Sequence, residues 1–191
     1  AETLTETRRK AIPAIEKYLV EQLHLLGMPD VRFVVSIMPA TEYTEKGNDV
    51  VEFQFSANKN RSVQPVSLIA SGGEVSRLML AIKSLLIRQS DLPTIIFDEI
   101  DTGISGEVAQ KVGTILKELG KKHQVSSITH LPQVAAKANK HIFVYKNHEK
   151  EKTYTEIKTL SGDERLHEIA VMLCVNNPPK EALENAKRLL N

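Results

Sequence analysis

The uncharged run Thr94-Ile95-Ile96-Phe97 passes directly into Asp98-Glu99. A strand that is apolar at successive positions, and so on both faces, needs cover on both sides, the condition of a parallel sheet layered with helices. Chain order agrees. The spacing of Val75, Leu78, Met79, Ile82, Leu85 and Leu86 predicts a helix over 74–88. A second helix is expected over 106–119, closed by Gly120, and the next strand over 124–129. Strand, helix, strand in that order argues an α/β fold with a largely parallel sheet, and ligands bind such sheets beyond the carboxyl ends of their strands.

The flanks are simpler. Leu4, Ala11, Tyr18 and Leu25 recur every seven residues, with Ile12, Ile15, Leu19 and Leu26 widening the stripe, so 2–26 reads as a helix. It is either docked on a domain or the end of a coiled-coil arm. Pro13 inside it is expected to kink it or start a second helix, and Gly27-Met28-Pro29 to stop it. Runs 31–37 and 50–55 are expected to form an antiparallel pair, with Val51, Phe53 and Phe55 on one face and Glu52 and Gln54 on the other. Gly47-Asn48-Asp49 is the turn signal between them. The stretch 58–64 reads as a solvated loop, 131–138 as a short helix, and 141–145 and 153–159 as paired strands across a charged turn over 146–152. Helices over 162–174 and 179–190 complete the 191 residues.

Lys+Arg number 25 against Asp+Glu 24, a net charge of +1, which excludes a domain that binds nucleic acid by bulk charge alone. No apolar run approaches the ~18 residues that span a bilayer. The single Cys174 excludes an internal disulfide framework and a cysteine-based zinc site and suits a reducing compartment. The first residue is Ala1 rather than Met, the mark expected of a piece of a longer chain.

Three motifs carry the chemistry. Ser71-Gly72-Gly73-Glu74 has the form of a helix capping box, Ser at the cap and Glu three residues on. Capping leaves the glycines unexplained, since each costs roughly 1 kcal/mol relative to Ala inside a helix. A bare helix start, with free N–H groups and partial positive charge, is also a phosphate site. Asp98 and Glu99 stand at the end of the apolar strand and, being adjacent, point to opposite sides. One can hold a magnesium ion and the other can orient or deprotonate an attacking water, unless both are only a solvated acidic turn. Thr129-His130 closes the next strand, 32 residues after Asp98 (130 − 98), the size of one βαβ unit. His130 therefore belongs to the same edge, within reach of a phosphoryl oxygen or of the attacking water, or caps a helix. His24, His123, His141, His148 and His167 show no ligand spacing.

In this order the three motifs resemble the signature, Walker B and switch-histidine series of ABC-type ATPases, with Ile100-Asp101-Thr102-Gly103-Ile104-Ser105-Gly106 in the place of the D-loop. The strings from Ala70 to Arg77, from Phe97 to Gly106, from Thr129 to Ala135 and from Glu164 to Ala170 are similar to the C-terminal head of the SMC-like ATPases of bacterial double-strand break repair. Transport-type ABC domains are less similar. The resemblance implies ATP and Mg2+ as cofactors, Asp98 at the metal, Glu99 polarising the hydrolytic water and His130 sensing the γ-phosphate. Ser71, Gly72, Gly73 and Glu74 would act in trans on ATP held by a second head, and Asp101 and Gly103 would work at the interface between heads.

A P-loop of the form Gly-x-x-x-x-Gly-Lys-Ser/Thr does not occur in the 191 residues. The resemblance places it in an N-terminal lobe across a long coiled coil. Residues 1–28 are then expected to be the root or end of that arm, and 29–191 the C-terminal lobe. The partners implied are the chain's own P-loop lobe, a second head on ATP, and DNA through the whole protein, in the cytoplasm at the nucleoid and with no membrane. Two other readings use the same residues: a metal-dependent phosphohydrolase or nuclease built on Asp98, Glu99 and Asp101, and an assembly module with an ATPase-like fold that does not hydrolyse.

Overall fold

The computed structural model describes residues 1–69, 71–88, 92–98, 100–149, 152–174 and 177–191. They form two compact units, Ala1–Pro93 with Thr102–Ile104, and Thr94–Asp101 with Ser105–Asn191.

The first unit is a helix laid on a hairpin. Helix α1 (Glu2–Leu25) continues through Pro13, so the expected second helix does not start there. Both halves are pinned, which offsets the hydrogen bond that proline removes. Before Pro13, Thr5 Oγ1 donates to Asp49 at 2.8 Å and Arg8 Nη1 to the same carboxylate at 2.6 Å. After it, Leu19, Leu23 and Leu26 are at most 1% exposed. Each such leucine contributes about 1.5–3 kcal/mol by burial. Strands β1 (Arg32–Thr44) and β2 (Gly47–Ser56) pair antiparallel with Phe33 opposite Phe55 and Val35 opposite Phe53, the alternation expected from the sequence. The strands are longer than expected and the turn is Glu45-Lys46, because Gly47 and Asp49 already belong to β2. Val35 N–H donates to Glu16 Oε1 at 2.8 Å, tying β1 to α1. A two-residue strand, β3 (Gln64–Pro65), adds to β2. Helix α2 (Gly72–Arg88) buries Leu78, Leu80, Ala81, Ser84 and Ile87, and its Arg88 guanidinium lies 5.3 Å over the Tyr18 ring.

In the second unit β4 (Thr94–Phe97) and β5 (Gln124–Ser127) pair parallel, joined by α3 (Gly106–Leu119). Strand β4 and helix α3 fall where the sequence placed them. Strand β5 stops at Ser127, so Thr129 lies beyond it rather than in it. The short helix α4 (Pro132–Ala135) is half its expected length. It passes so close to α3 that a Cβ on Gly113 would lie 3.0 Å from the Gln133 carbonyl. Strands β6 (His141–Glu149) and β7 (Lys152–Leu160) form an antiparallel pair. Helices α5 (Gly162–Leu173) and α6 (Lys180–Leu190) pack through Ile169, Ala170, Ala182 and Ala186 against Ala135 and Ala136. Arg165 Nη2 donates to the Ala136 and Ala138 carbonyls at 3.1 and 2.5 Å, satisfying the end of α4.

Candidate functional site

The glycines of the first motif have separate explanations. Ser71 starts α2, its carbonyl accepting from Val75 N–H at 3.1 Å. Gly72 is exposed, and a Cβ there would meet nothing within 4 Å. Gly73 is bare for an internal reason: its Cβ would lie 3.2 Å from the Gly103 carbonyl oxygen. Gly103 in turn has φ +73, the left-handed region that glycine adopts without strain, and its Cβ would lie 3.2 Å from Gly73 Cα. The two backbones therefore approach closely enough that a side chain on either would need its neighbour to shift by a few tenths of an ångström. The sequence assigned both glycines to one cause; packing takes one and leaves the other open at a helix N-terminus. Glu74 borders an open cavity of about 350 Å3 that Ser56, Asn58, Arg61 and Gln64 also line.

The other two motifs share one edge of the second unit. Parallel pairing places Phe97 opposite Ser127, and Ile128 N–H donates to Phe97 O at 2.9 Å, carrying the register one residue past the strand. Asp98 follows on β4 and is exposed. Thr129 and His130 follow on β5, as the 32-residue spacing anticipated. Glu99 lies outside the described residues.

Asp101 behaves unlike Asp98. It is 2% exposed, and its Oδ2 accepts from Thr129 Oγ1 and from His130 N–H, the latter at 3.1 Å. His130 Nδ1 lies 3.3 Å from the same oxygen, while the His130 side chain is 72% exposed. Sequence reasoning missed Thr129 as a partner and missed this use of Asp101; no spacing rule links residues 28 and 29 apart across a loop. Among the described residues, no group of three or more His, Cys, Asp or Glu is arranged to hold a metal ion. Asp98 offers one free carboxylate. That fits Mg2+, which keeps several waters and takes one or two carboxylates together with substrate phosphates. No helix among the described residues is long and apolar enough to cross a membrane.

Solved structures place this architecture. The head domain of a Pyrococcus yayanosii Smc protein, with coiled coil and joint, superposes with a TM-score of 0.64 at 22% identity, over 82% of this chain and 28% of that one. An SMC ATPase described for its ATP-driven dimerization and DNA-stimulated activation gives 0.61 at 19% identity, over 90% of this chain and 99% of that one. The fold is that of the SMC ATPase head.

Sequence similarity narrows the class. The DNA repair protein RecN of Rickettsia felis is 41% identical over 191 residues, all of this chain and 35% of that protein. RecN of Vibrio cholerae is 36% identical over 191 residues, 100% of this chain and 34% of that protein, and RecN of Deinococcus radiodurans 41% over 182 residues, 95% and 32%. The chain belongs to the RecN family and spans about a third of the length of these relatives. No family model matches it.

Proposed function

We propose that this chain is the C-terminal lobe of an ATP-driven, SMC-like DNA repair ATPase and supplies half of a composite ATP site. The observation that carries this reading is the register of β4 and β5, which brings Asp98 and His130 to one carboxyl edge. Residues 1–28 form the root of an arm and 29–191 the lobe.

Bound Mg2+ would neutralise phosphate charge at Asp98. Glu99 polarises the attacking water, and His130 contacts the γ-phosphate. Ser71 and the N–H groups of Gly72 and Gly73, with Glu74 closing the first turn, receive the γ-phosphate of ATP held by the P-loop of a second copy. The loop of Asp101 and Gly103 lies along the seam between copies. ATP closes two heads and hydrolysis parts them; positioning and charge stabilisation carry such phosphoryl transfer. DNA is engaged through the whole protein, in the cytoplasm at the nucleoid.

An exposed apolar surface supports the need for the chain's own P-loop lobe. Ile96 in β4 is 68% exposed and Ile128 after β5 is 59% exposed. Parallel sheets are ordinarily covered on both faces. The nuclease reading loses ground, since Asp101 is engaged by Thr129 and His130 and is turned away from solvent. The test is direct: the 191 residues alone bind ATP weakly and do not turn it over. Robust Mg2+-dependent hydrolysis by this chain by itself refutes the half-site.

A further inference from the structure

Asp101 is a buried carboxylate that the scheme above uses only as part of a loop. Burying a carboxylate is costly unless hydrogen bonds replace its water. Its replacements come from two consecutive residues. Thr129 Oγ1 accepts from Leu131 N–H at 3.1 Å, which leaves the Thr129 hydroxyl proton free to be donated to Asp101 Oδ2. His130 N–H donates to the same oxygen at 3.1 Å. Two bonds thus fix the carboxylate at the end of β5, and His130 Nδ1 sits 3.3 Å from it.

We propose that Asp101 is the positioning residue of His130: it holds the imidazole by Nδ1–H and leaves Nε2 as the atom offered to the nucleotide. A carboxylate accepts and does not donate, so the Nδ1 facing it carries a proton. The other neutral tautomer would aim a lone pair at Oδ2 and is disfavoured. Only Nε2 is then left to act outward from a side chain that is 72% exposed. As a neutral ring it accepts from a water; as the cation it donates to a phosphoryl oxygen. The same arrangement, a carboxylate behind a histidine, fixes tautomer and ring orientation in hydrolytic triads and in metal sites. The grip itself is independent of the ATPase reading; what Nε2 meets rests on that reading.

The experiment has two arms. In this chain labelled with 15N-histidine, the His130 ring signals, assigned by their loss in His130→Gln, report Nδ1 as the protonated nitrogen. Asp101→Ala returns the ring to a mixture dominated by Nε2–H. In the intact protein, Asp101→Ala lowers kcat for ATP on the order of tenfold or more, the usual cost of removing such an orienting partner. KM stays within about twofold, because binding by the P-loop is untouched. A wild-type ring protonated at Nε2 overturns the proposal, and that reading does not require the Asp101 variant to fold. So does an Asp101→Ala ring unchanged from wild type. An intact wild-type protein without ATP hydrolysis, beside a ring held at Nδ1–H, overturns the function proposed above and leaves the positioning intact.

Discussion

Phe55 in β2 is 2% exposed, whereas Ile96 in β4 is 68% exposed. At its Phe33–Phe55 end the antiparallel hairpin is covered within its own unit, where α1 packs on β1 and Glu16 accepts a hydrogen bond from Val35 N–H, while Met38, Tyr43 and Val50 towards the turn are exposed. The parallel pair β4–β5 is covered on one face only, with Phe97 buried and Ile96 out. The buried end of the hairpin is therefore closed by its own unit, and the parallel pair leaves Ile96 and Ile128 exposed on one face. Asp98, proposed for the metal, and His130, proposed for catalysis, follow the strands of the open sheet.

Substitutions sharpen this contrast. Phe55→Ala removes a ring from a closed core and is expected to cost about 3–5 kcal/mol, read as a fall in the urea midpoint. Ile96→Thr, on the open face, is expected to change stability in the same titration by no more than about 0.5 kcal/mol. Equal losses would mean that the open face is packed in solution.

Gly72 in α2 and Gly103 in the loop beside it allow a finer comparison. Gly103→Ala forces a side chain into φ +73 against Gly73 and is expected to destabilise by about 1–3 kcal/mol. Gly72→Ala meets open space in a helical turn and is expected to stabilise the chain by about 0.4–1 kcal/mol. In the intact protein the same Gly72→Ala should weaken ATP-driven head pairing. Unchanged pairing would return Gly72 to a capping role.

Acid separates the units in a smaller way. Burial, and then the positive charge of Arg165, hold His141 in the second unit below its ordinary value of 6.5. Its folded pKa is below its unfolded one, so its contribution is complete above pH 6.5 and fades as pH falls below that value. Asp49 in the first unit is lowered from 3.8 by hydrogen bonds from Arg8 and then Thr5. Its contribution persists to that value and is lost only as pH drops through the folded pKa. Between pH 6.5 and about 5 the loss of stability should vanish in His141→Phe and survive in Asp49→Asn. The reverse pattern would reassign the acid sensitivity.

How legible these features were follows from their range. Strand β4 and helix α3 matched because their signals are local: an apolar run stopped by charge, a periodic stripe stopped by glycine. The hairpin turn did not. Gly47-Asn48-Asp49 carries turn residues, but Asp49 is held in β2 by Thr5 and Arg8, 44 and 41 residues away. Helix α1 ran on through Pro13 for the same reason, anchored from outside itself. At the edge of the second unit the parallel register carries Asp98 and His130 to the same side, as their 32-residue spacing anticipated. The Asp101–Thr129–His130 hydrogen bonds and the Gly73–Gly103 approach depend on loops whose course no periodicity encodes.

Whether this lobe completes an ATP site on another copy can be measured by mixing two inactive variants of the intact protein. Under the proposed function, Ser71→Arg and Glu99→Gln are each expected to inactivate the intact protein when alone, the first by blocking the helix start offered to a partner and the second by removing the water's base. Mixed, they form dimers in which one of the two sites keeps a normal Glu99 facing a normal Ser71. ATP hydrolysis is expected to return on mixing, to roughly a quarter of wild type for random pairing of two-fold dimers. A mixture as inactive as its components would contradict it.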